Sequence, residues 1–77
     1  MLKEILEKLV RAIVDKPDEI RILETKGHKI CIYELRVASV DFGKVIGKHG
    51  RNAQALRTIL QSISAKMGMR VMLEILQ

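Results

Sequence analysis

Val45-Ile46-Gly47-Lys48-His49-Gly50-Arg51 is a Gly-x-x-Gly turn with an apolar dipeptide before it and a basic, helix-forming run after it. Two glycines three apart leave the backbone without Cβ atoms at the two points where a ligand chain would come closest. Such a turn can accept a phosphate backbone at contact distance. The run from Arg51 onward has helical spacing, so its free amides and the positive end of its dipole lie beside the turn, where an anion is stabilised. A Gly-x-x-Gly between two helices is also a common tight connector, and spacing alone does not separate the two readings.

Charge separates them. From Phe42 to Leu73 the chain carries Lys44, Lys48, Arg51, Arg57, Lys66 and Arg70 and no acidic residue, six positive charges in 32 residues. The other 45 residues hold eight basic and nine acidic side chains, so the whole net charge of +5 comes from the segment that contains the turn. That asymmetry points to a polyanion, with nucleic-acid phosphate as the expected anion.

Length and composition bound the rest. With 77 residues, 48% hydrophobic and 30% charged, the chain reads as one globular domain spanning residues 1–77, without repeats or low-complexity runs. A domain of this size buries only about 60–65% of its unfolded surface, and dimerisation would help it. Lys3, Glu4, Glu7 and Lys8 interrupt the apolar residues at the start, which excludes a signal peptide or membrane span there and predicts a cytoplasmic protein. The single Cys31 lies in an apolar strand pattern and reads as a small buried hydrophobe. His28 has no second ligand at metal-binding spacing, and no cofactor or metal is implied.

Outward from the turn, the periodicities give the elements. Leu2, Ile5, Leu6, Leu9, Val10, Ile13 and Val14 recur at three- and four-residue intervals and predict a helix over 2–14, stopped before Pro17. Ile20 to Thr25 and Ile30 to Val37 predict two strands joined by a hairpin loop at Lys26 to Lys29. In the second strand Cys31, Tyr33, Leu35 and Val37 face one way, toward covering helices, and Ile30, Ile32, Glu34 and Arg36 the other. Asp41 is the expected N-cap of a short helix over 42–46. A longer helix over 51–67 places Ala53, Leu56, Leu60, Ile63 and Met67 on one stripe, and Gly68 stops it. Met69 to Leu76 alternates as a closing strand, which returns after a crossover of about thirty residues and is therefore expected to pair in parallel.

The order helix, strand, strand, helix, Gly-x-x-Gly, helix, strand makes an α+β fold, a three-stranded mixed sheet with helices on one face. The Val45 to Arg51 stretch in that setting resembles the KH domain, whose loop clamps about four nucleotides of backbone. The N-terminal helix and strand make it similar to the type II KH arrangement. The whole chain resembles the small single-KH proteins of the bacterial KhpA family. Their signature is matched by Asp41-Phe42-Gly43-Lys44-Val45-Ile46-Gly47-Lys48-His49-Gly50-Arg51-Asn52-Ala53-Gln54-Ala55-Leu56-Arg57-Thr58. The resemblance implies non-catalytic binding of single-stranded RNA, as in an RNA chaperone or post-transcriptional regulator. It also implies a homodimer, or a heterodimer with a second KH-containing protein of the Jag type.

On that reading the amides of the Gly47–Gly50 turn and of the following helix hold phosphates. Lys48 neutralises one, Lys44 and Arg51 extend the positive track, and His49 adds donors. Bases would lie over an aliphatic groove built partly by Ile46, with Asn52, Gln54 and Arg70 as partners for base edges and the Lys26 to Lys29 loop as a second wall. Tyr33 and Phe42 are the only aromatic residues, so stacking platforms are missing. Ile30 and Ile32, joined by Leu23 and Met72 on the open sheet face, form the expected self-association patch.

Three rival readings remain, two of which draw on the same residues. Gly43 to His49 has the look of a nucleotide phosphate loop but is one residue short and has His where magnesium needs Ser or Thr. Duplex DNA binding through a helix-hairpin-helix-like motif would draw on the same charges. A protein-interaction module with a vestigial turn would use none of them.

Overall fold

The computed structural model describes residues 1–77. Helix α1 covers Leu2–Arg11 and buries Leu2, Leu6 and Val10, one residue per turn on a single stripe. It is shorter than the apolar period predicts. After Arg11 the turn tightens, with the Ile13 and Val14 amides both donating to the Val10 carbonyl, yet Val14 is still delivered to the core. Pro17–Glu19 then forms one 3-10 turn, entered through the fixed φ of proline.

Strands β1 (Arg21–Lys26) and β2 (Ile30–Arg36) pair antiparallel, in a register running from Arg21 opposite Arg36 to Lys26 opposite Cys31. Strand β3 (Arg70–Leu76) pairs in parallel with β2, Ile30 opposite Arg70 through Arg36 opposite Leu76, so β2 is central and the order is β1-β2-β3. The predicted alternation holds. Cys31, Tyr33, Leu35, Val71 and Leu73 are buried under the helices, while Leu23 and Met72 on the opposite face are exposed.

Helix α2 covers Ser39–Ile46 and α3 covers Arg51–Lys66; both contribute to the core, through Val45 and through Leu56 and Leu60. The sequence assigns Ile63 and Met67 to the buried stripe of α3; Ile63 packs against the core, partly buried, but the stripe closes on Ser64 and not on Met67. Ser64 is fully buried and donates its hydroxyl to the Gln61 carbonyl, while Met67 is half exposed. Gly68, at φ 69°, ends α3 as expected. No helix is long and apolar enough to cross a membrane.

Two buried polar groups tie the layers together. The Tyr33 hydroxyl, in the core, donates to the Glu24 carboxylate across the β1–β2 pair at 2.7 Å, and burial pushes the Tyr33 pKa up. Asp41 departs from expectation. Helix α2 starts three residues earlier, with Ala38 as its N-cap, and Asp41 stands inside the first turn with no exposed surface. Its two carboxylate oxygens accept the backbone N–H groups of Asp15 and Lys16 at 3.0 Å each. The residue therefore caps the chain leaving α1, not its own helix. Those backbone hydrogen bonds, the one from Asp15 first, hold its pKa below the usual carboxylate value against the opposing effect of burial.

Candidate nucleic-acid interface

Helix α2 ends because Gly47 leaves helical geometry, at φ 78° and ψ 169°, while its amide still donates to the Gly43 carbonyl. Lys48–Gly50 makes a single 3-10 turn closed by the Gly50 amide on the Gly47 carbonyl at 3.0 Å. His49 and Gly50 both take positive φ, 58° and 74°, and α3 starts at once from Arg51. No side chain caps the first turn of α3. Its first amide, that of Arg51, already donates to the Lys48 carbonyl through the 3-10 turn, so what the helix start offers an anion is chiefly the positive end of its dipole.

The two glycines serve different ends. A Cβ on Gly47 would lie 2.8 Å from the backbone nitrogen of Asn52, so close approach of α3 to the turn demands glycine there. A Cβ on Gly50 would meet nothing within 4 Å, and only its positive φ favours glycine. The space outside Gly50 is open to a ligand.

The predicted site residues fall into three groups. Lys48, His49, Arg51 and Gln54 are exposed around the turn, and neither Lys48 nor Arg51 has an acidic partner. Ile46 is half-buried at the base of the turn, where an aliphatic floor is expected.

Asn52 and Lys44 are committed within the protein. The Asn52 side-chain amide donates to the Lys44 carbonyl at 2.7 Å, satisfying an end carbonyl of α2 and bracing α3 against it. The Lys44 ammonium pairs with Asp15. That hydrogen bond raises the Lys44 pKa and so keeps the ammonium charged, while the paired Asp15 carboxylate offsets that charge toward a ligand.

Arg70 stands apart. It begins β3, at the end of the sheet where its amide bonds the Lys29 carbonyl, and so lies beside the far end of α3. It alternates with buried Val71 and shares the helix-free face with Met72. The Lys26–Lys29 loop lies at that same end, about 24 Å down a sixteen-residue helix from the turn.

Two residues absent from the expected site border it. Arg57 donates from Nε and one Nη to the Leu73 carbonyl at 3.2 and 3.1 Å, and Gln61 donates to the Val71 carbonyl at 2.8 Å. With Gln54 they lie three and four residues apart on one flank of α3, which runs from the turn along the outer edge of β3. In the sequence Arg57 counts only as a charge. Its contact needs α3 and β3 to run antiparallel side by side, and no local spacing reports that.

The architecture, helices on one face of a mixed sheet with the Gly-x-x-Gly turn between α2 and α3, is that of a type II KH fold. The profile of the KhpA/KhpB KH domain matches residues 3–75. A protein named RNA-binding protein KhpA from Aquifex aeolicus (strain VF5) is 51% identical over 76 residues, 99% of this chain and 96% of its own length. Proteins of the same name from Chlamydia pneumoniae and Clostridium acetobutylicum are 46% and 44% identical, over 99% and 97% of this chain and 97% and 100% of their own. With that profile matching residues 3–75 and these relatives 44–51% identical over nearly the whole of both chains, the chain belongs to the KhpA/KhpB KH-domain family.

Proposed function

We propose that this chain is a cytoplasmic, non-catalytic protein that binds single-stranded RNA through the Gly47–Gly50 turn. The observation that carries the proposal is the turn itself. Its backbone is open outside Gly50, Lys48 and His49 project into solvent, and an uncapped helix start adjoins it. Phosphates are held by the turn amides and the positive end of the α3 dipole, with Lys48 and Arg51 as the free cations and Ile46 beneath the bases. Asn52 shapes the turn and Lys44 is shared with Asp15, so both support the surface more than they touch RNA. The name carried by full-length relatives supports RNA over other polyanions.

The reading includes self-association, or pairing with a second KH-containing chain of the Jag type. Exposed apolar side chains lie in three places, Leu23 and Met72 on the open sheet face, Val40 and Ile59 on the outer helix surface, and Met1 and Met67 beside the start of α1 and the end of α3.

Binding of a single-stranded RNA octamer and a DNA duplex at equal salt tests the proposal. Three or four phosphate contacts give a logarithmic slope of about −2 to −3 against salt for the single strand, at roughly −0.7 per phosphate. The RNA is expected to bind more tightly than the duplex. Stronger duplex binding would favour the helix-hairpin-helix reading, and absence of binding to either would leave the turn a connector.

A further inference from the structure

The end of α3 is a Schellman turn. The Gly68 amide donates to the Ala65 carbonyl at 3.1 Å and the Met69 amide to the Ser64 carbonyl at 3.0 Å, around the left-handed backbone of Gly68. Met67 and Met69 stand on either side of that reversal, and both line one cavity of about 140 Å³. Met69 comes two residues before Val71, the register partner of Cys31, so it takes the same face of the sheet as Cys31. Cys31 lines the cavity too, beside Tyr33 and Glu24.

The chain has four methionines and one cysteine, and all of them except Met72 line this cavity. Methionine often fills irregular gaps in a core. Met1 and Met67 fill no gap, since they are 71% and 51% exposed. The clustering of sulfur is therefore not accounted for by packing. In the sequence it leaves no metal-binding spacing, because the donors come from β2 and from the distant turn between α3 and β3.

Thiolate and thioether are soft donors, the kind that select Cu(I). Nowhere do three or more His, Cys, Asp or Glu side chains gather, so no cluster of harder donors competes. Cys31 is 2% exposed, and its thiol makes one weak contact, with the Glu24 carboxylate at 3.9 Å. When a metal–sulfur bond forms, that thiol gives its proton to water. One thiolate then neutralises a monovalent ion, and thioethers complete the coordination without adding charge to a buried place. We propose that Cys31, Met67 and Met69 form a binding site for a soft monovalent cation, Cu(I). It lies at the end of α3 remote from the Gly47–Gly50 turn, about 24 Å away, and does not rest on the RNA-binding reading.

The test titrates reduced protein, labelled with carbon-13 at its methionine methyl groups, with Ag(I), which shares the charge and ligand preference of Cu(I) and is inert to air. The Met67 and Met69 methyl resonances are expected to move and to saturate at one equivalent. The Met72 resonance, on the opposite face of the sheet, stays in place. Cu(I) affinity is measured by competition with bicinchoninate for wild type, Met67→Leu/Met69→Leu and Cys31→Ala, each with its melting temperature. Leucine conserves volume, so the double variant is expected to fold. Its affinity should fall at least about tenfold, the least that even residues outside a coordination shell commonly contribute, and that of Cys31→Ala further. If a variant does not fold, the wild-type methyl titration decides alone.

Wild-type Cu(I) affinity in the double variant would make Cys31 a lone reactive thiol and overturn the inference. Movement of Met72 with the others, or uptake continuing past one equivalent, would mean unspecific thioether binding and overturn it as well. So would the absence of any binding. Affinity for a single-stranded RNA octamer, measured on the same proteins, is expected to be unchanged, so failure here leaves the RNA-binding reading standing.

Discussion

An added Cβ at position 47 would sit 2.8 Å from a backbone nitrogen, whereas at position 50 it would enter open space. Gly50→Ala therefore pays only for a left-handed backbone, about 1 kcal/mol, which for a domain of this size lowers the melting temperature by about 4–8 °C. Gly47→Ala adds a clash that only a shift of α3 relieves, and is expected to lower it further. Thermal melts of the two variants check this, and equal losses would refute the packing argument. The sequence makes both glycines visible but not their difference, because the atom that Gly47 must avoid belongs to a residue positioned by the start of α3. Asn52 is a similar case. As a polar residue beside the turn it reads as a base contact, and its actual bond to the Lys44 carbonyl depends on how α2 meets α3.

Among elements, the join between α1 and α2 turns on one side chain. Asp41 binds two backbone amides from the chain leaving α1, and its carboxyl is held below the usual range by those bonds. Asp41→Asn replaces one acceptor with an N–H that faces another N–H, so the variant is expected to melt lower at neutral pH. The sign of the pH dependence follows from linkage. A carboxyl depressed in the folded state contributes fully above its unfolded pKa, near 3.9, and loses that contribution as pH falls through the folded value. The gap between wild type and variant should therefore be constant from pH 7 to about 5 and narrow at more acid pH. A gap independent of pH down to 2 would assign the effect to shape alone. Element order, strand pairing and the parallel return of β3 are all legible in the sequence, since periodicity and crossover length report them directly. The place of Asp41 is not, because a carboxylate ahead of an apolar run looks the same whether it caps its own helix or a neighbouring segment.

For the whole molecule, the apolar side chains left outside the core bear on assembly. The open sheet face carries Leu23 and Met72 at 60% and 45% exposure, with half-buried Ile32 between their strands, and the outer helix surface carries Val40 and Ile59 at 67% and 40%. Ile32→Lys and Ile59→Asp each place a charge in one patch without touching the buried core. Sedimentation should show a dimer turned to monomer by one of them, with native circular dichroism in both, and that variant identifies the interface. An unchanged dimer would put the contact elsewhere, and a monomeric wild type would remove self-association from the proposal.

The polarity of the charge distribution is also a property of the whole chain, and it meets the fold at the turn. Replacing Lys48 and His49 together with Asp reverses the field there while leaving the core untouched, since both side chains are exposed and neither makes an internal hydrogen bond or ion pair. Exposed charge contacts are worth on the order of 1 kcal/mol each and reversal counts twice, so affinity for single-stranded RNA is expected to fall at least about thirtyfold. The decisive measurement sets this double variant, at native melting temperature, beside wild type on one RNA at one salt concentration. A loss of that size places RNA on the Gly47–Gly50 turn, and equal affinities would contradict it.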